Sequence, residues 1–556
     1  MSLAYFDTKE NKLKKITALF CAALLAFPLS SCGKDDKGSG ANHLYDVPLS
    51  GNPKSLDPQF ANDPSSNTVI KNLYSGLVSA DENGNIVCCN AESYTVSSDQ
   101  LTYTFKLRQD NYWFFDKNNN DEIDEDEYFP VTAHDYIFAL QRVLDPIMQS
   151  PYASNFMCIK NGSSIISGKD DPLNAGLTAI DDFTLQITLD YPSAEFLGMM
   201  STAAAFPCNR EFFDSTKGRY GLDDNSVMSN GPFYVRQWFY DPYGSHNILY
   251  MRRNEINANE KFQVLPAYVS FTIQKSDSDI RDLFKNGKIE CFSTLQDSYN
   301  KKKYSVKSSP AITLGLVFNP DDKVFSNTNL KKALAYSIDR NSLSSSIGDD
   351  AETASGIIPP AVRLAGRSYR ELSSDSQFSI YDLDKARKCL QDAKKELNIG
   401  SVESVKILVN AETADSGDLH YLSQSWQDTL GIYIGIEDVT ADEFNQRIAD
   451  GNYSIALYPV KGDLCSGLSV INQFEKNDCL KAAAGKTSFT ESILKCSDVP
   501  SLVEAYTNAE KTITESFGFI PIFYKNAYLV SSNDNESLIY DPFTGAIDYR
   551  LAQNFS

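Results

Sequence analysis

The longest apolar run of this chain lies at its N-terminus, and it limits what the remaining residues can build. Residues 16–29 are largely apolar and follow a basic stretch that contains Lys12, Lys14 and Lys15. A charged segment, a short apolar segment and small residues, in that order, are typical of a secretory signal. The run is too short to cross a bilayer of roughly 30 Å as a lone helix. Since no other apolar run approaches that length, we expect the rest of the chain to fold in water outside the cytoplasm.

The signal ends in the sequence Leu-Ser-Ser-Cys, which resembles the lipobox of bacterial lipoproteins and whose cysteine is Cys32. That resemblance implies cleavage before Cys32 and a lipid on its sulfur. Two acyl chains hold a protein on a membrane more stably than one, at about 0.8 kcal/mol per buried CH₂. Residues 33–41 are rich in Gly, Ser, Lys and Asp, a composition typical of a flexible tether. We therefore predict a lipoprotein signal peptide at 1–31, a tether at 32–41, and a mature protein anchored on the outer face of the cytoplasmic membrane. An ordinary signal peptide with an incidental cysteine is the alternative.

The length and net charge of the remaining chain limit which architectures and which classes of partner are compatible with it. Since a single hydrophobic core stops growing near about 250–300 residues, the roughly five hundred residues beyond the tether predict two or more lobes. The formal net charge is −22, and removing the signal, which carries four lysines, one aspartate and one glutamate, makes the remainder −24. So acidic a surface repels nucleic acid and anionic lipid headgroups. We therefore expect no nucleic-acid partner and no membrane contact except through the anchor.

Nine of the 11 cysteines lie beyond the proposed anchor. They are Cys88, Cys89, Cys158, Cys208, Cys291, Cys389, Cys465, Cys479 and Cys496. Disulfides are permitted outside the cytoplasm, and an odd number leaves at least one thiol free or in an intermolecular bond. Their spacing leaves the pairing open and matches no zinc-binding pattern.

The hydrophobic periodicity predicts both strands and helices. Residues 101–108 and 183–189 alternate strictly between apolar and polar side chains, which indicates strands with one face in water. Between them, residues 132–144 predict a helix, because Thr132 stands at the capping position with Asp135 three residues on.

The C-terminal half repeats this mixture. Residues 405–409, 422–430 and 432–439 predict a β-α-β run. We predict that Ser501 caps the last helix, with Glu504 three residues on. Strands and helices intermix along the whole chain without a repeat of 20–50 residues, so the fold class is α/β or α+β with at least two lobes.

Ten short motifs occur along the chain in an order that resembles one family. They lie at residues 55–58, 73–77, 101–108, 130–142, 145–146, 150–154, 230–234, 253–254, 333–340 and 520–524. Each motif is weak alone, but the ordered set resembles the family 5 extracellular solute-binding proteins, which feed peptides and related solutes to ABC importers. The Ser-Pro-Tyr-Ala-Ser sequence and the loop around Asp463 resemble the oligopeptide-binding branch.

This resemblance implies an α/β, two-lobed fold of the type II periplasmic-binding-protein kind, with an extra subdomain and a hinge between the lobes. Lobe I takes residues 42–73, 208–310 and 526–556, the subdomain takes 74–207, and lobe II takes 311–525. Two crossing segments join the lobes, and the ligand binds in the cleft between them. The resemblance further implies a monomer whose partners are a peptide and the membrane subunits of an ABC transporter.

The resemblance also implies which residues contact the ligand. An aspartate at the position of Asp463 takes the N-terminal ammonium of a peptide, and Tyr152 lies along the bound peptide. Cleft segments pair with the peptide backbone as with an added strand, so affinity comes from main-chain groups. The matched ligand-binding residues are Ala61, Asn62, Asp63, Tyr152, Tyr458, Val460, Lys461 and Asp463. A surface aspartate in a loop is the alternative for Asp463.

The chain departs from the family pattern at both ends of the expected ligand. A tryptophan and a cysteine that are common before the aspartate are Val460 and Lys461 here, and Lys461 is able to pair with Asp463. Where these receptors often carry a basic residue for the ligand carboxylate, the aligned residues are Asp415, Ile448 and Leu457. Arg447 or Lys461 is able to replace them, and the length of the ligand stays open.

No catalytic pattern accompanies these motifs. The only histidines are His43, His134, His246 and His420, and no nucleophile elbow, zinc-protease motif or dinucleotide fingerprint is present. We therefore predict a binding protein that is not an enzyme and requires no cofactor. Two other readings stay open: the same fold binding an oligosaccharide, for which 30 tyrosines and 32 phenylalanines offer stacking surfaces, or a receptor for peptide signals that does not transport them.

One acidic stretch matches a pattern for calcium. Residues 116–127 place oxygen-bearing side chains at positions 1, 3, 5, 7, 9 and 12 of an EF-type loop, with an apolar Ile123 at position 8. These residues are Asp116, Asn118, Asn120, Glu122, Asp124 and Glu127. Position 6, which is normally glycine, is Asp121, a residue type that tolerates left-handed backbone geometry better than most. A solvated acidic loop is the alternative to a structural Ca²⁺ site.

Overall fold

The computed structural model describes residues 44–553 except 82, 242–246, 260–261, 275, 297–298, 348–350, 374–380, 415, 486–487 and 533–536. The predicted signal, Cys32 and the tether therefore lie outside the described residues, as does Asp415. The α-helices are Pro64–Leu73, Ala133–Leu144, Gly162–Ile166, Phe196–Met200, Arg210–Ser215, Asp277–Lys285, Thr328–Tyr336, Arg340–Ser344, Tyr369–Leu372, Leu383–Leu397, His420–Leu430, Ala441–Ala449, Gly467–Lys476, Asp478–Ala484, Thr490–Leu494 and Val499–Glu515. Short 3₁₀ helices are Ala153–Phe156, Pro172–Asn174, Ala203–Ala205, Asp224–Ser226 and Ser416–Leu419.

A four-stranded sheet begins the fold. Its strands, in spatial order, are Leu44–Leu49, Tyr268–Ile273, Ile248–Arg253 and Phe233–Phe239. The first pair is parallel and the others are antiparallel. Because side chains alternate between the two faces of a strand, Tyr45, Val47 and Leu49 all point into the core.

A seven-stranded sheet forms the largest layer. Its main path, in spatial order, is Cys291–Thr294, Phe519–Ser532, Tyr304–Phe318, Ile455–Lys461, Val405–Asn410 and Ile434–Val439, and Ala351–Thr353 pairs with Phe519–Ser532. The two long strands pair antiparallel from Tyr304 to Val317. They run through the predicted lobe boundaries at 310/311 and 525/526, where the crossing segments were expected.

This sheet is buried on both faces. Ile455 and Leu457 pack with the helices on one side, whereas Ala456 and Val460 pack into the large core on the other side. Strands covered on both faces read as continuous apolar runs, which explains the eight consecutive buried residues from Ala311 to Phe318.

A smaller antiparallel sheet lies within the predicted subdomain. Its strands, in spatial order, are Ala91–Val96, Thr102–Leu107, Thr184–Thr188 and Leu177–Asp181. Two-stranded ribbons complete the fold: Val78–Ala80 with Ile86–Cys88, Tyr112–Phe114 with Tyr128–Pro130, Arg363–Leu364 with Arg367–Ser368, and Ile539–Tyr540 with Ile547–Asp548. The predicted mixture of α and β elements is confirmed, and the domain boundaries stay predictions.

The prediction for the last helix is wrong by three residues. The helix begins at Val499, and Asp498 caps it by accepting a hydrogen bond from Ser501 N at 2.8 Å. Pro500 fits the first turn because the N–H that proline lacks has no partner there. Ser501 is therefore the third residue of the helix, where it completes a capping box with Asp498.

Two further properties follow from the described residues. None of their helices is both long and apolar enough to cross a membrane. Eight of the nine cysteines whose pairing the sequence left open are free thiols: Cys89, Cys158, Cys208, Cys291, Cys389, Cys465, Cys479 and Cys496.

Candidate ligand-binding cleft

A cavity of about 1080 Å³ opens where the predicted lobes and subdomain meet. Its lining comes from all three predicted parts of the chain and includes residues 194–195, 197–199, 201–204, 307–310, 360–361, 463–466 and 539–544. Cavities of this size are typical of ligand sites at domain interfaces. Of the eight residues that the resemblance assigned to the ligand, Tyr152 and Asp463 line it.

Asp463 lies in a tight loop between the strand Ile455–Lys461 and the helix Gly467–Lys476. The preceding Gly462 passes so close to Ser469 that a Cβ at this position would collide with the serine side chain. Ser469 Oγ also accepts from Leu464 N at 3.0 Å, and Ser466 caps the helix. The loop is thus fixed by its neighbours, while the Asp463 carboxylate has no hydrogen-bond or ion-pair partner within the described part of the chain.

Tyr152 forms a fixed wall beside that carboxylate. Its ring is buried, and its hydroxyl donates a hydrogen bond to the Ala61 carbonyl oxygen at 2.5 Å. Burial raises the pKa of Tyr152, and the negative charges of Asp463 and Asp63 raise it further. The electrostatic influence of both aspartates shows that the structure brings Asp463, Tyr152 and the 61–63 segment together.

The 61–63 segment supports the cleft, and its groups are largely engaged. The Ala61 carbonyl oxygen is bound by Tyr152, and Asp63 caps the helix Pro64–Leu73 by accepting from Ser66 N at 3.0 Å. Asn62 is exposed. None of the three residues lines the cavity.

The strand residues before Asp463 also lie outside the lining. Tyr458 is half-buried, and its hydroxyl accepts a hydrogen bond from Asn477 Nδ2 at 2.8 Å. Val460 is part of the core. Burial lowers the pKa of Lys461, and the charge of Asp541 offsets part of this effect. Among the described residues, Lys461 makes no ion pair with Asp463.

One carboxylate that the sequence did not reveal joins the two sides of the cleft. Glu195, in the predicted subdomain, accepts hydrogen bonds from Ser466 Oγ at 2.6 Å and from the Tyr506 hydroxyl, both in predicted lobe II. The side chain is almost fully buried, and burial raises its pKa, although the two hydrogen bonds offset part of the rise. Next to it, Ala194 N donates to the Cys496 carbonyl oxygen at 2.7 Å. No local motif marks Glu195, because its partners lie 271 and 311 residues away.

The cavity also contains basic side chains that sequence reasoning did not select. Arg370 is bound to the buried Glu510, and its Nε donates to the Ile358 carbonyl oxygen at 2.6 Å. Arg363 is exposed, donates to the Gly366 carbonyl oxygen at 2.9 Å, and has no carboxylate partner among the described residues.

Arg447, which the sequence suggested for a ligand carboxylate, does not line the cavity. Its Nη1 lies 3.4 Å from a carboxylate oxygen of Glu437. Unlike Arg363 and Arg370, Arg447 therefore lies away from the cavity.

No group of three or more acidic, histidine or cysteine side chains in the described ranges is arranged as a ready metal site. The predicted calcium loop at 116–127 contributes no residue to the cavity lining. Along the cavity wall, Asp463 and Glu352 have no hydrogen-bond or ion-pair partner among the described residues, and Arg363 has no carboxylate partner there.

The comparison with protein families matches residues 85–479 to the model described as "Bacterial extracellular solute-binding proteins, family 5 Middle". Among curated proteins, the chain is 26% identical over 491 residues to the oligopeptide-binding protein AliB of Streptococcus pneumoniae, covering 79% of this chain and 73% of AliB. It is 22% identical over 562 residues to the dipeptide-binding protein DppE of Bacillus subtilis, covering 98% and 99% of the two chains.

Solved structures give the same fold. The pheromone receptor PrgZ, described with its mode of peptide binding, superposes with a TM-score of 0.71 at 23% identity, covering 92% of this chain and 100% of the other. The fold is therefore the two-lobed α/β type that the resemblance implied. Since the family model spans most of the chain, the protein belongs to the bacterial extracellular solute-binding proteins of family 5.

Proposed function

We propose that this chain is a lipid-anchored extracellular receptor that captures peptides in its cleft and delivers them to the membrane subunits of an ABC importer. The observation that carries the proposal is the Asp463 carboxylate, which lines a cavity of about 1080 Å³ and lacks a partner in the described part of the chain. A carboxylate that loses water when a cleft closes needs a cation. The N-terminal ammonium of a peptide supplies that cation, and the names of AliB and DppE support a peptide as the solute.

Tyr152 supports the same assignment. Its hydroxyl already donates a hydrogen bond to the Ala61 carbonyl oxygen, so the ring offers an apolar wall. The peptide ammonium would therefore pair with Asp463. The neighbouring Asp63 adds negative potential, while its side chain is held by Ser66. An ammonium entering here therefore meets one free acceptor in a negatively charged corner.

For the carboxylate end of the peptide we propose Arg363. It lines the cavity, is exposed, and keeps donors available after its bond to Gly366. A guanidinium binds a carboxylate with two parallel hydrogen bonds, which gives direction as well as affinity. Arg370 is less suited, because Glu510 already neutralises it.

The anchor at Cys32 remains a proposal from the sequence. The Leu-Ser-Ser-Cys sequence and the polar tether that follows it support lipidation and a position on the outer face of the cytoplasmic membrane. A monomeric receptor on a flexible tether is free to approach a membrane-embedded permease. The proposed role is capture and delivery, with no chemical change to the peptide.

Calorimetry with defined peptides and their N-acetylated forms tests the proposal. Acetylation removes the ammonium, and Asp463→Ala removes its partner, so each change should cost about 3–5 kcal/mol. That corresponds to about a hundredfold to several thousandfold in Kd. Glu352→Ala is the matched control, because Glu352 is another acidic residue that lines the cavity.

Equal affinity for free and acetylated peptides would exclude this role of Asp463. A thermal shift with an oligosaccharide panel and none with peptides would replace peptide by glycan as the solute. Uptake of a labelled peptide by cells with and without this chain then separates import from signalling, since a receptor that only signals leaves uptake unchanged.

A further inference from the structure

We propose that residues 116–127 form a calcium-binding loop, separate from the cleft and independent of the peptide proposal. The loop joins the strands Tyr112–Phe114 and Tyr128–Pro130, which form an antiparallel ribbon. Phe115 N donates to the Glu127 carbonyl oxygen at 3.1 Å, so the ribbon brings the two ends of the loop together. The first and last potential ligands, Asp116 and Glu127, are thereby neighbours.

The observation that points to a cation is the Asp116 carboxylate. The side chain is 7% exposed, and its Oδ1 has no hydrogen-bond partner. Its Oδ2 accepts from Asp121 N at 3.3 Å, so the carboxylate faces into the loop. A buried carboxylate oxygen without a donor is costly. A cation inside the loop would satisfy it.

Glu127 faces the same space from the other end. It is 2% exposed, and its two oxygens accept from Lys117 N at 2.8 Å and Asp124 N at 3.3 Å. Both oxygens therefore point across the loop, as a carboxylate that binds calcium through both oxygens at position 12 must do.

The remaining side-chain ligands meet at Asp124. Its Oδ2 accepts from Asn118 Nδ2 at 2.8 Å and from Asn120 Nδ2 at 3.2 Å. Turning the two amides presents carbonyl oxygens to an ion and releases Asp124 Oδ2 to bind it as well. With the Glu122 carbonyl oxygen and both oxygens of Glu127, the loop then supplies seven oxygens, which is within the six to eight that Ca²⁺ takes.

The sixth position, where the sequence departs from the pattern, has the backbone that the pattern needs. Asp121 adopts φ +66° in place of the usual glycine. Its side chain turns away from the other ligands and pairs with Arg236 and with Arg252, the latter at 2.8 Å. These pairs tie the loop to the strands Phe233–Phe239 and Ile248–Arg253. Bound calcium would therefore stiffen the contact between the ribbon and the four-stranded sheet.

Calorimetry on the detergent-solubilised full chain, stripped with a chelator, tests the site with Ca²⁺ and with Mg²⁺. We expect one saturable Ca²⁺ site in the range of about 10⁻⁴–10⁻³ M that is typical of extracellular modules, and weaker Mg²⁺ binding. At 10 mM Ca²⁺ the equilibrium constant for folding should then increase by roughly tenfold to a hundredfold, which is measured as a higher Tm.

Two variants and a matched control locate the site. Asp116→Asn and Glu127→Gln should each lose the Ca²⁺ heat and the Tm rise, whereas Glu125→Gln, the same kind of change at an exposed position outside the pattern, should keep both. If either buried variant fails to fold, Asp124→Asn, a less buried ligand, replaces it. Absence of heat and of a Tm shift at 10 mM Ca²⁺ would overturn the proposal, and so would Ca²⁺ binding that survives Asp116→Asn or Asp124→Asn.

Discussion

Replacing Glu195 tests whether the contact across the cleft controls closure. Glu195→Ala removes the acceptor of the hydrogen bonds from Ser466 and Tyr506. Since these groups come from different predicted parts of the chain, opening the cleft must break both bonds. The variant should therefore shift the equilibrium toward the open form without changing the residues that line the ammonium corner.

The magnitude follows from two opposing effects. Each hydrogen bond to a charged acceptor contributes about 1.5–3 kcal/mol. Against this, the carboxylate regains water when the cleft opens, and the raised pKa of Glu195 shows that its burial is unfavourable. We therefore expect the free energy that favours closure to fall by about 1–3 kcal/mol. This makes the equilibrium constant for closure roughly 5- to 150-fold smaller and raises the peptide Kd by a similar factor.

Calorimetry gives the Kd, and small-angle scattering gives the fraction of closed molecules. Glu504→Ala is the control, because Glu504 is exposed on the same helix as Tyr506. If Glu195→Ala binds peptide as tightly as Glu504→Ala and scatters identically, the contact does not control closure.

The same residue predicts a dependence on pH. The pKa of Glu195 is raised in the closed form because it is buried, and it returns toward the ordinary value of about 4.3 when the cleft opens. Closure therefore takes up a proton between these two pKa values. As pH rises through that window, the closed form loses stability relative to the open form. Peptide affinity should fall correspondingly, and Glu195→Gln, which cannot ionise, should remove this part of the pH profile.

Three further predictions concern other parts of the chain. Cys32→Ala should release the protein from the membrane fraction, and a variant that stays there would contradict the proposed anchor. Arg363→Gln should weaken peptides with a free C-terminal carboxylate and leave C-amidated peptides unaffected; equal losses for both would remove Arg363 from that role. Glu510 pairs with Arg370 and accepts hydrogen bonds from Ile357 N and Ile358 N at 2.6 and 2.7 Å. Glu510→Ala leaves these groups without their acceptor, so the free energy of unfolding measured in urea should fall by about 3–5 kcal/mol. Glu515→Ala, the control, should change it little.

Local patterns in the sequence predicted much of the fold. The alternating segments at 101–108 and 183–189 are the strands Thr102–Leu107 and Thr184–Thr188, which pair directly with each other. Alternation is visible in a sequence because one face of each strand is buried. The β-α-β run is likewise present, as the parallel strands Val405–Asn410 and Ile434–Val439 with the helix His420–Leu430 between them.

The start of the last helix shows where a local rule fails. Both Ser501 and Asp498 are good capping residues, and each is followed by a compatible third residue. Glu504 lies three residues after Ser501 and completes the more familiar capping box, so the local pattern favours the later residue. Pro500 indicates the correct start, since proline is favoured in the first turn of a helix and the capping residue then precedes it.

The cleft was predictable only where the chain keeps its chemistry in one short segment. Asp463 stands directly after a strand, and Tyr152 lies in a recognisable motif, so both were predicted and both line the cavity.

Arg363 and Glu195 have no such local signal: a lone arginine in a short turn and a lone glutamate after an alanine look like ordinary surface residues. What distinguishes them is their surroundings. Glu195 is buried beneath hydrogen bonds from Ser466 and Tyr506, and Arg363 lies in the same cavity lining as Asp463, which is 100 residues further along the chain. Such roles arise from the packing of distant segments, so the complete fold must be known before they are visible.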